Sequence, residues 1–121
     1  MKYFAKVVSN FKVAFGGKVA FLALRKSMVS KFSQETDVRD TIFKYLRAIK
    51  GIEVIVILTE HGKNKTKINL RSQGKFDVAR LALHFGGGGH KKASGCMISG
   101  SIKQAQEKVA LQIKKEMTQG T

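Results

Sequence analysis

The chain has 121 residues, 43% of them hydrophobic, and its 23 lysines and arginines outnumber 8 aspartates and glutamates to give a net charge of +15. This length predicts one domain with a core of its own. No apolar run approaches the ~20 residues of a transmembrane helix and no signal-peptide pattern is present, so we expect a cytoplasmic protein. The charge favours polyanions, chiefly nucleic acids or nucleotides. A basic surface that only maintains solubility is the alternative, because the lysines are spread along the chain.

The first fifteen residues fit two patterns. The spacing of their phenylalanines and valines predicts a helix over roughly residues 2–10. Residues 12–15, however, have the same sequence as residues 18–21 across two glycines, which is typical of a hairpin. We interpret residues 1–15 as an N-terminal helical or linker segment and residues 16–121 as the domain.

Two buried strands and a helix are predicted next. Residues 18–24 and 52–59 are nearly all apolar, which predicts strands, and residues 52–59 are predicted to be central in the sheet. Between them, Asp37 is the predicted N-cap of a helix and Gly51 its C-terminal stop. The apolar face of that helix is predicted to contain Val38, Ile42, Tyr45, Leu46 and Ile49.

Residues 66–72 alternate between polar and apolar side chains, which predicts a strand. Its apolar side chains point to one face, while Lys67, Asn69 and Arg71 point to the other and form a cationic, hydrogen-bonding row. Arg71 is the strongest candidate for binding, because a guanidinium group binds phosphate or carboxylate through two N–H donors. Ser72 adds a hydroxyl group. An exposed strand arginine without a ligand is the alternative.

The last part of the chain predicts a helix, a glycine run, a strand and a helix. Asp77 caps the first of these helices, residues 93–99 form the strand, and Ser101 with Gln104 makes a capping box. The final helix is predicted to bury Ile102, Ala105, Val109, Ile113 and Met117. The whole order predicts an α/β fold, with a mixed sheet of about 4–5 strands flanked by helices.

The glycine run is the most unusual segment of the chain. Without Cβ atoms its backbone can approach a ligand closely, and its amides, with adjacent cations, can form an anion-binding concavity. We predict a phosphate-contacting loop; a flexible connector is the alternative. The run fits neither the phosphate loop of nucleoside triphosphatases nor the dinucleotide fingerprint. The candidate binding residues here are Gly86, Gly87, Gly88, Gly89, His90, Lys91 and Lys92.

The sequence contains no evident catalytic or metal-binding set. The histidines His61, His84 and His90 form no compact motif with the eight acids. His90 could contact phosphate, transfer a proton or cap local backbone. Cys96, the single cysteine, excludes an internal disulfide and is expected to be a small buried residue. We assign no catalytic and no metal-ligating residue to this chain, and interpret it as a binding module for phosphorylated ligands.

Residues 70–74 (LRSQG), 77–78 (DV) and 85–95 (FGGGGHKKASG) closely resemble the DHHA1 domain of DHH-family phosphoesterases. The nearest type is the bifunctional nano-RNase and pAp-phosphatase group, often labelled exopolyphosphatase-related. The resemblance covers essentially residues 16–117. It is specific, because the arginine-serine and glycine-histidine elements occur together and in order.

The resemblance implies the C-terminal substrate-binding domain of a two-domain enzyme. Its N-terminal DHH domain, whose motifs this sequence lacks, would hold a pair of Mn²⁺ ions. Arg71, Ser72, the glycine run and His90 would bind the phosphates of short oligonucleotides or pAp-like nucleotides. The chain alone is not expected to hydrolyse them. Cyclic-dinucleotide products and polyphosphate stay open as substrates.

Two other functions stay open. Similar domains occur in alanyl-tRNA synthetases and single-strand exonucleases, so a stand-alone basic domain that binds single-stranded nucleic acid without catalysis is the main alternative. An interaction domain whose first helix forms a homodimer is the other. Preference for a short, terminally phosphorylated ligand would support the phosphoesterase interpretation, whereas length-dependent and salt-sensitive binding would support the first alternative.

Overall fold

The computed structural model describes residues 11–25 and 38–119. These residues confirm the α/β fold, but their mixed sheet has six strands, more than predicted. The strands are β1 (Lys12–Ala14), β2 (Val19–Leu24), β3 (Val54–Glu60), β4 (Lys65–Ser72), β5 (Gly88–His90) and β6 (Ala93–Ser99), and the helices are α1 (Val38–Arg47), α2 (Val78–His84) and α3 (Ile102–Gln119). None of these helices is both long and apolar enough to cross a membrane.

The strand order across the sheet is β1-β2-β3-β4-β6-β5. β2 and β3 are parallel, and every other neighbouring pair is antiparallel. β3 lies in the interior of the sheet and is buried on both faces from residue 54 to residue 59, which confirms its predicted central position. β1 and β5 are the edge strands.

One face of the sheet packs against α2 and α3, and we call it the helix-pair face. Its core takes alternate residues from β2, β3, β4 and β6 and the apolar stripes of both helices. Of the final helix, Ala105, Val109 and Ile113 are buried as predicted, and Ile102 and Met117 pack against the same core. Burial of these stripes holds both helices against the sheet.

Both predicted helix caps on this side are present. Asp77 Oδ1 accepts hydrogen bonds from the backbone N–H groups of Ala79 (2.9 Å) and Arg80 (3.1 Å). At the start of α3, the Ser101 N–H donates to Gln104 Oε1 (2.9 Å), while the Gln104 N–H donates to Ser101 Oγ (3.2 Å). These bonds satisfy N–H groups that have no partner within the first turn of a helix.

The opposite face, which we call the α1 face, is covered by α1 over β2 and β3. Its core cluster consists of Ala20, Leu22, Leu24, Ile42, Phe43, Leu46, Ile52, Ile55 and Ile57. Tyr45, predicted to lie on the apolar face of this helix, is 47% exposed, whereas Phe43, which was not predicted there, is 5% exposed. The prediction was wrong because Ile42, Phe43 and Leu46 centre the contact face about a quarter turn away from Tyr45.

The chain enters the sheet earlier than predicted. Residues 12–14 were assigned to the N-terminal helical or linker segment, but they form β1 and pair with β2, with Ala14 opposite Val19 and Lys12 opposite Phe21. The hairpin pattern prevailed because residues 15–18 form a turn between the two copies of the repeat. The predicted helix over residues 2–10 and the predicted cap Asp37 lie outside the described residues.

Candidate phosphate-binding site

The α1 face divides into two halves. The half formed by β2 and β3 lies beneath α1, whereas the core cluster of this face contains no residue of β4, β6 or β5. We call the α1 face of these three strands the open half. Directly opposed residues of antiparallel strands share a face, so the register defines which side chains meet on it.

The register brings Arg71 and His90 into one row across the open half. Arg71 of β4 lies opposite Ala93 of β6, and Ala93 lies opposite His90 of β5. The Cα atoms of Arg71 and His90 are therefore two strand spacings apart, about 10 Å. The small Ala93 side chain leaves the space between them unfilled. The two elements that the sequence singled out thus lie in one row on the same face of the sheet.

The α1 helix positions the Arg71 guanidinium. Arg71 Cζ lies 4.4 Å from the centre of the Phe43 ring, and Arg71 Nη1 donates a hydrogen bond to the carbonyl of Leu70 at 3.1 Å. Its Nη2 is 3.9 Å from Asp40 Oδ1, with side-chain exposures of 36% and 65%. An ion pair this long and this exposed adds little stability. The contacts orient Arg71, and they leave N–H donors for a ligand.

The first two glycines of the run close the end of α2. The N–H of Gly86 donates to the carbonyl of Leu83 (3.0 Å), and the N–H of Gly87 donates to the carbonyl of Ala82 (2.8 Å). This pair of bonds is a Schellman motif, with Gly86 in the left-handed conformation at φ 84°. Both amides are occupied by helix carbonyls, so the predicted phosphate contact of Gly86 and Gly87 would not come from these N–H groups.

The rest of the run is strand β5 and not a loop. A Cβ on Gly87 would lie 2.1 Å from the carbonyl oxygen of Gly95, and one on Gly89 would lie 2.6 Å from the Cα of Ser94. A Cβ on Gly88 would meet nothing within 4 Å. The absence of side chains at Gly87 and Gly89 therefore allows this segment to lie against β6. Gly88 faces the open half and leaves space there.

The turn between β5 and β6 is tied to the neighbouring elements. The carbonyl of Lys91 accepts from the N–H of Val78 (3.0 Å), and the carbonyl of Lys92 accepts from the N–H of Ser72 (2.9 Å). Lys92 Nζ donates to the carbonyl of Gly74, while the Lys91 side chain is exposed. These bonds attach the β5–β6 hairpin, which contains His90, to the end of β4, the strand that contains Arg71.

Ser72 does not join this row. It follows Arg71 and so faces the helix-pair side, where it is buried. Its Oγ interacts with Gly74, 3.5 Å from the carbonyl oxygen and 3.4 Å from the nitrogen. The hydroxyl of Ser72 stabilises the turn after β4, and its predicted contact with substrate stays a prediction.

Cys96 is buried on the helix-pair face, as expected. Burial raises the pKa of its thiol to about 11, and the positive charge of Lys67 opposes this shift. A thiol with such a pKa is protonated at neutral pH, so it is not an activated nucleophile.

The described residues do not fit a metal centre. Among residues 11–25 and 38–119, no group of three or more His, Cys, Asp or Glu side chains lies close enough together to hold a metal ion. The Mn²⁺ pair that the family resemblance implies would need ligands from outside these segments. We therefore assign no metal-dependent step to the described residues.

Sequence reasoning missed two residues at the site. Phe43 and Asp40 contact Arg71 from α1, although more than 25 residues separate them from it along the chain. The predicted apolar face of this helix contained neither residue. The contact depends on where α1 crosses the sheet, which no local pattern encodes.

Comparison with protein families gives one match that spans most of the chain. The family model of the DHHA1 domain matches residues 16–116. The bifunctional oligoribonuclease and PAP phosphatase NrnA of Thermus thermophilus is 30% identical over 114 residues, which are 93% of this chain and 33% of that protein. NrnA of Mycoplasma genitalium is 29% identical over 115 residues, which are 95% of this chain and 35% of that protein. The chain thus spans about a third of the length of these curated relatives.

Solved structures show the same fold. An exopolyphosphatase-related protein from Bacteroides fragilis superposes with a TM-score of 0.79 at 33% identity, covering 95% of this chain and 34% of that one. The pGpG-specific phosphodiesterase PggH from Vibrio cholerae superposes with a TM-score of 0.66 at 18% identity, covering 94% of this chain and 37% of that one. The second similarity concerns the fold alone.

Proposed function

Because the chain belongs to the DHHA1 domain family, we propose that its open half binds the phosphate groups of short oligoribonucleotides or pAp-like nucleotides as the substrate-binding part of a phosphoesterase. The names of the NrnA relatives support the ligand class, since those proteins are described as acting on oligoribonucleotides and PAP. The net charge of +15 supports an anionic ligand.

The observation that carries the proposal is the shared row of Arg71 and His90. The two residues lie on either side of Ala93 on one face of the sheet. Arg71 would hold two oxygens of a phosphoryl group through its fork of N–H donors. His90, at the exposed end of β5, would donate to the same group from the other side. The role of the described residues in this proposal is to bind and orient the phosphate.

Hydrolysis is no part of the role proposed for the described residues, because no metal cluster lies among residues 11–25 and 38–119. In a protein that also supplies the metal centre, loss of Arg71 or His90 would lower turnover strongly and leave metal binding nearly intact. The described residues would contribute to the reaction by fixing the phosphate before the chemical step.

The test is ligand binding by four variants of the chain. Arg71→Ala and His90→Ala should each weaken binding of adenosine 3′,5′-bisphosphate by about tenfold or more, since hydrogen bonds that involve charged groups contribute about 1.5–3 kcal/mol. Arg80→Ala and His61→Ala remove exposed residues of the same types away from the row and should bind within about twofold of the wild type. Calorimetric titration measures all four affinities. Unchanged binding in both Arg71→Ala and His90→Ala contradicts the proposal.

The same titration separates the phosphoesterase role from general single-strand binding. Single-strand binders stack bases on exposed aromatic rings. Among the described residues, Phe21 and Phe43 are buried and the partly buried phenylalanines pack against the cores, whereas Tyr45 of α1 is exposed. Tighter binding of a dinucleotide with a 5′ phosphate than of an unphosphorylated strand several times longer supports the proposal. Affinity that grows with strand length, without preference for the end, supports the alternative.

A further inference from the structure

Gln73 lies in the turn after β4, two residues beyond Arg71. Its N–H donates to the carbonyl of Glu53 (2.8 Å), just before β3, so its backbone is held against the sheet. Its side-chain Nε2 donates to the carbonyl of Ile52 and, at 3.4 Å, to the carbonyl of Arg47. One residue thus connects the end of β4 both to the segment that leads into β3 and to the last residue of α1.

The Arg47 carbonyl belongs to a helix end that needs partners from outside the helix. The last four carbonyls of an α-helix have no N–H donor within it. Two of those in α1, the carbonyls of Tyr45 and Leu46, accept from N–H groups three residues later in the chain (3.2 and 3.1 Å). The Arg47 carbonyl accepts from Gln73 instead. This bond therefore satisfies the end of α1 and also joins it to another element.

The bond at Arg47 and the ring contact at Arg71 join the same two elements. Phe43 precedes Arg47 by four residues, which is about one turn, or about 6 Å, along α1. Arg71 precedes Gln73 by two residues at the end of β4. The contact of Arg71 with Phe43 and the bond of Gln73 to Arg47 are therefore successive contacts between α1 and the end of β4.

Apolar packing and hydrogen bonds constrain α1 in different ways. Burial of apolar surface is non-directional, so the core cluster of the α1 face holds α1 against β2 and β3. A hydrogen bond depends on distance and angle, so the bond from Gln73 limits sliding of α1 along its own axis. Such sliding would move the Phe43 ring away from the Arg71 guanidinium, whose Cζ lies 4.4 Å from the ring centre.

We infer that Gln73 is a positioning residue of the proposed phosphate site: it fixes the end of α1 to the end of β4 and thereby keeps the Phe43 ring beneath the Arg71 guanidinium. Its effect on affinity rests on the proposed function, whereas its effect on the ring contact can be observed without a ligand. Because Gln73 acts through the ring, its loss should cost no more affinity than loss of the ring itself, about two- to fivefold.

The first test observes the Arg71 side chain by NMR in the chain without ligand. Protons over the face of an aromatic ring resonate upfield, and Phe43→Leu gives the position of the Arg71 Nε–H signal when the ring is absent. Gln73→Met keeps the approximate side-chain size and removes the donor, so it should move this signal towards its position in Phe43→Leu. A signal that stays at its wild-type position in Gln73→Met would overturn the inference.

Gln104→Met is the matched control. Gln104 also bonds to a helix end, where its Oε1 accepts from the N–H of Ser101 (2.9 Å) at the start of α3. The same substitution there removes a bond of similar kind away from α1. It should leave both the Arg71 signal and the ligand affinity at their wild-type values. Circular dichroism confirms that both variants are folded.

The second test is a double-mutant cycle in affinity for adenosine 3′,5′-bisphosphate, measured by calorimetric titration. Gln73→Met should weaken binding about two- to threefold in the wild-type chain. In Phe43→Leu the same change should weaken binding by less than about 1.5-fold, because the ring through which Gln73 acts is already absent. Equal weakening in both backgrounds would show an effect that does not pass through the ring, and the positioning role would be wrong.

The two proposals fail in different ways. If Arg71→Ala weakens binding while Gln73→Met keeps both the wild-type Arg71 signal and the wild-type affinity, the positioning role is wrong and the proposed function stands. If Gln73→Met moves the Arg71 signal but Arg71→Ala and His90→Ala bind the bisphosphate as the wild type does, the proposed function fails. Gln73 then has a role in the fold alone.

Discussion

The two halves of the α1 face belong to one continuous sheet but differ in the polarity and burial of their side chains. To the core cluster beneath α1, β2 and β3 contribute only aliphatic residues, and the largest of them are almost completely buried. On the open half, the same face of β4 carries Lys67, Asn69 and Arg71, while β6 and β5 contribute small or polar groups and Met97. The covered half stabilises the fold, whereas the core cluster beneath α1 includes no residue of the open half.

Strand β4 shows how one element serves both purposes. Its residues Thr66, Ile68, Leu70 and Ser72 are buried on the helix-pair face, and the residues between them are only partly buried on the open half. The buried set fixes the register of β4 against β3 and β6. The polar row is thereby held at defined positions without contributing to the core, and such rigid placement is what a binding site requires.

Removing a buried side chain of the covered half should have the largest effect on stability. Leu46 of α1 is fully buried against β2 and β3. Leu46→Ala should lower the free energy of unfolding by about 2–5 kcal/mol, because it removes buried apolar surface and leaves a cavity. Asn69→Leu, on the open half, should leave that free energy unchanged or raise it slightly, since it removes a buried donor that has no acceptor in the described part of the chain.

Urea denaturation of both variants measures this difference. A loss of less than about 1 kcal/mol in Leu46→Ala would be too small for a well-packed core position. It would show that α1 contributes little to stability and that the distinction between the two halves is not one of packing. A loss of similar size in Asn69→Leu would show instead that the Asn69 amide is satisfied within the fold.

The glycines of β5 provide a smaller but more selective effect. Gly87→Ala would place a methyl group 2.1 Å from the carbonyl oxygen of Gly95, so β5 or β6 would have to move. We expect a loss of about 2 kcal/mol, typical of overpacking. The methyl group of Gly88→Ala would have no atom within 4 Å. The free energy of unfolding of this variant should stay within about 0.5 kcal/mol of the wild type.

Gly88→Ala also tests whether the ligand needs the space beside Gly88. Its methyl group would project into the open half beside Gly95. Affinity for adenosine 3′,5′-bisphosphate should therefore fall several-fold in a chain that is otherwise as stable as the wild type. Equal stability of Gly87→Ala and Gly88→Ala would contradict the close approach of β5 to β6.

The elements that depend on local patterns could be predicted from the sequence. Alternation identified β4 together with its polar row, and the continuous apolar run identified β3 as central. Asp77 and the pair Ser101 and Gln104 cap their helices as predicted, because a cap involves residues only a few positions apart.

The remaining features depend on contacts between distant segments. The strand at residues 88–90 has no side-chain pattern of its own, since two of its residues are glycine, and it is defined by its pairing with β6. The row that joins Arg71 to His90 follows from the registers of two strand pairs. The family resemblance placed these two residues in one site, but the residues of α1 that orient Arg71 could not be identified.

The contact between α1 and Arg71, at the boundary of the two halves, should have the smallest effect that can be measured. Phe43→Leu keeps a buried apolar side chain but removes the ring beneath the guanidinium. A cation–π contact at a partly exposed site contributes about 0.5–1 kcal/mol, so affinity for adenosine 3′,5′-bisphosphate should fall about two- to fivefold. The variant should remain folded, because exchanges of this kind in a core are usually tolerated.

Asp40→Asn should change the affinity in the opposite direction. It removes a negative charge 3.9 Å from the guanidinium and leaves the ring in place. A carboxylate near the bound phosphate repels it by up to about 1 kcal/mol in water, so affinity should rise about two- to fourfold at low salt and less at high salt. Calorimetric titration at two salt concentrations measures both variants. If Phe43→Leu binds as the wild type does while Arg71→Ala does not, Arg71 is positioned by the sheet alone, and the covered half contributes nothing to the site beyond stability.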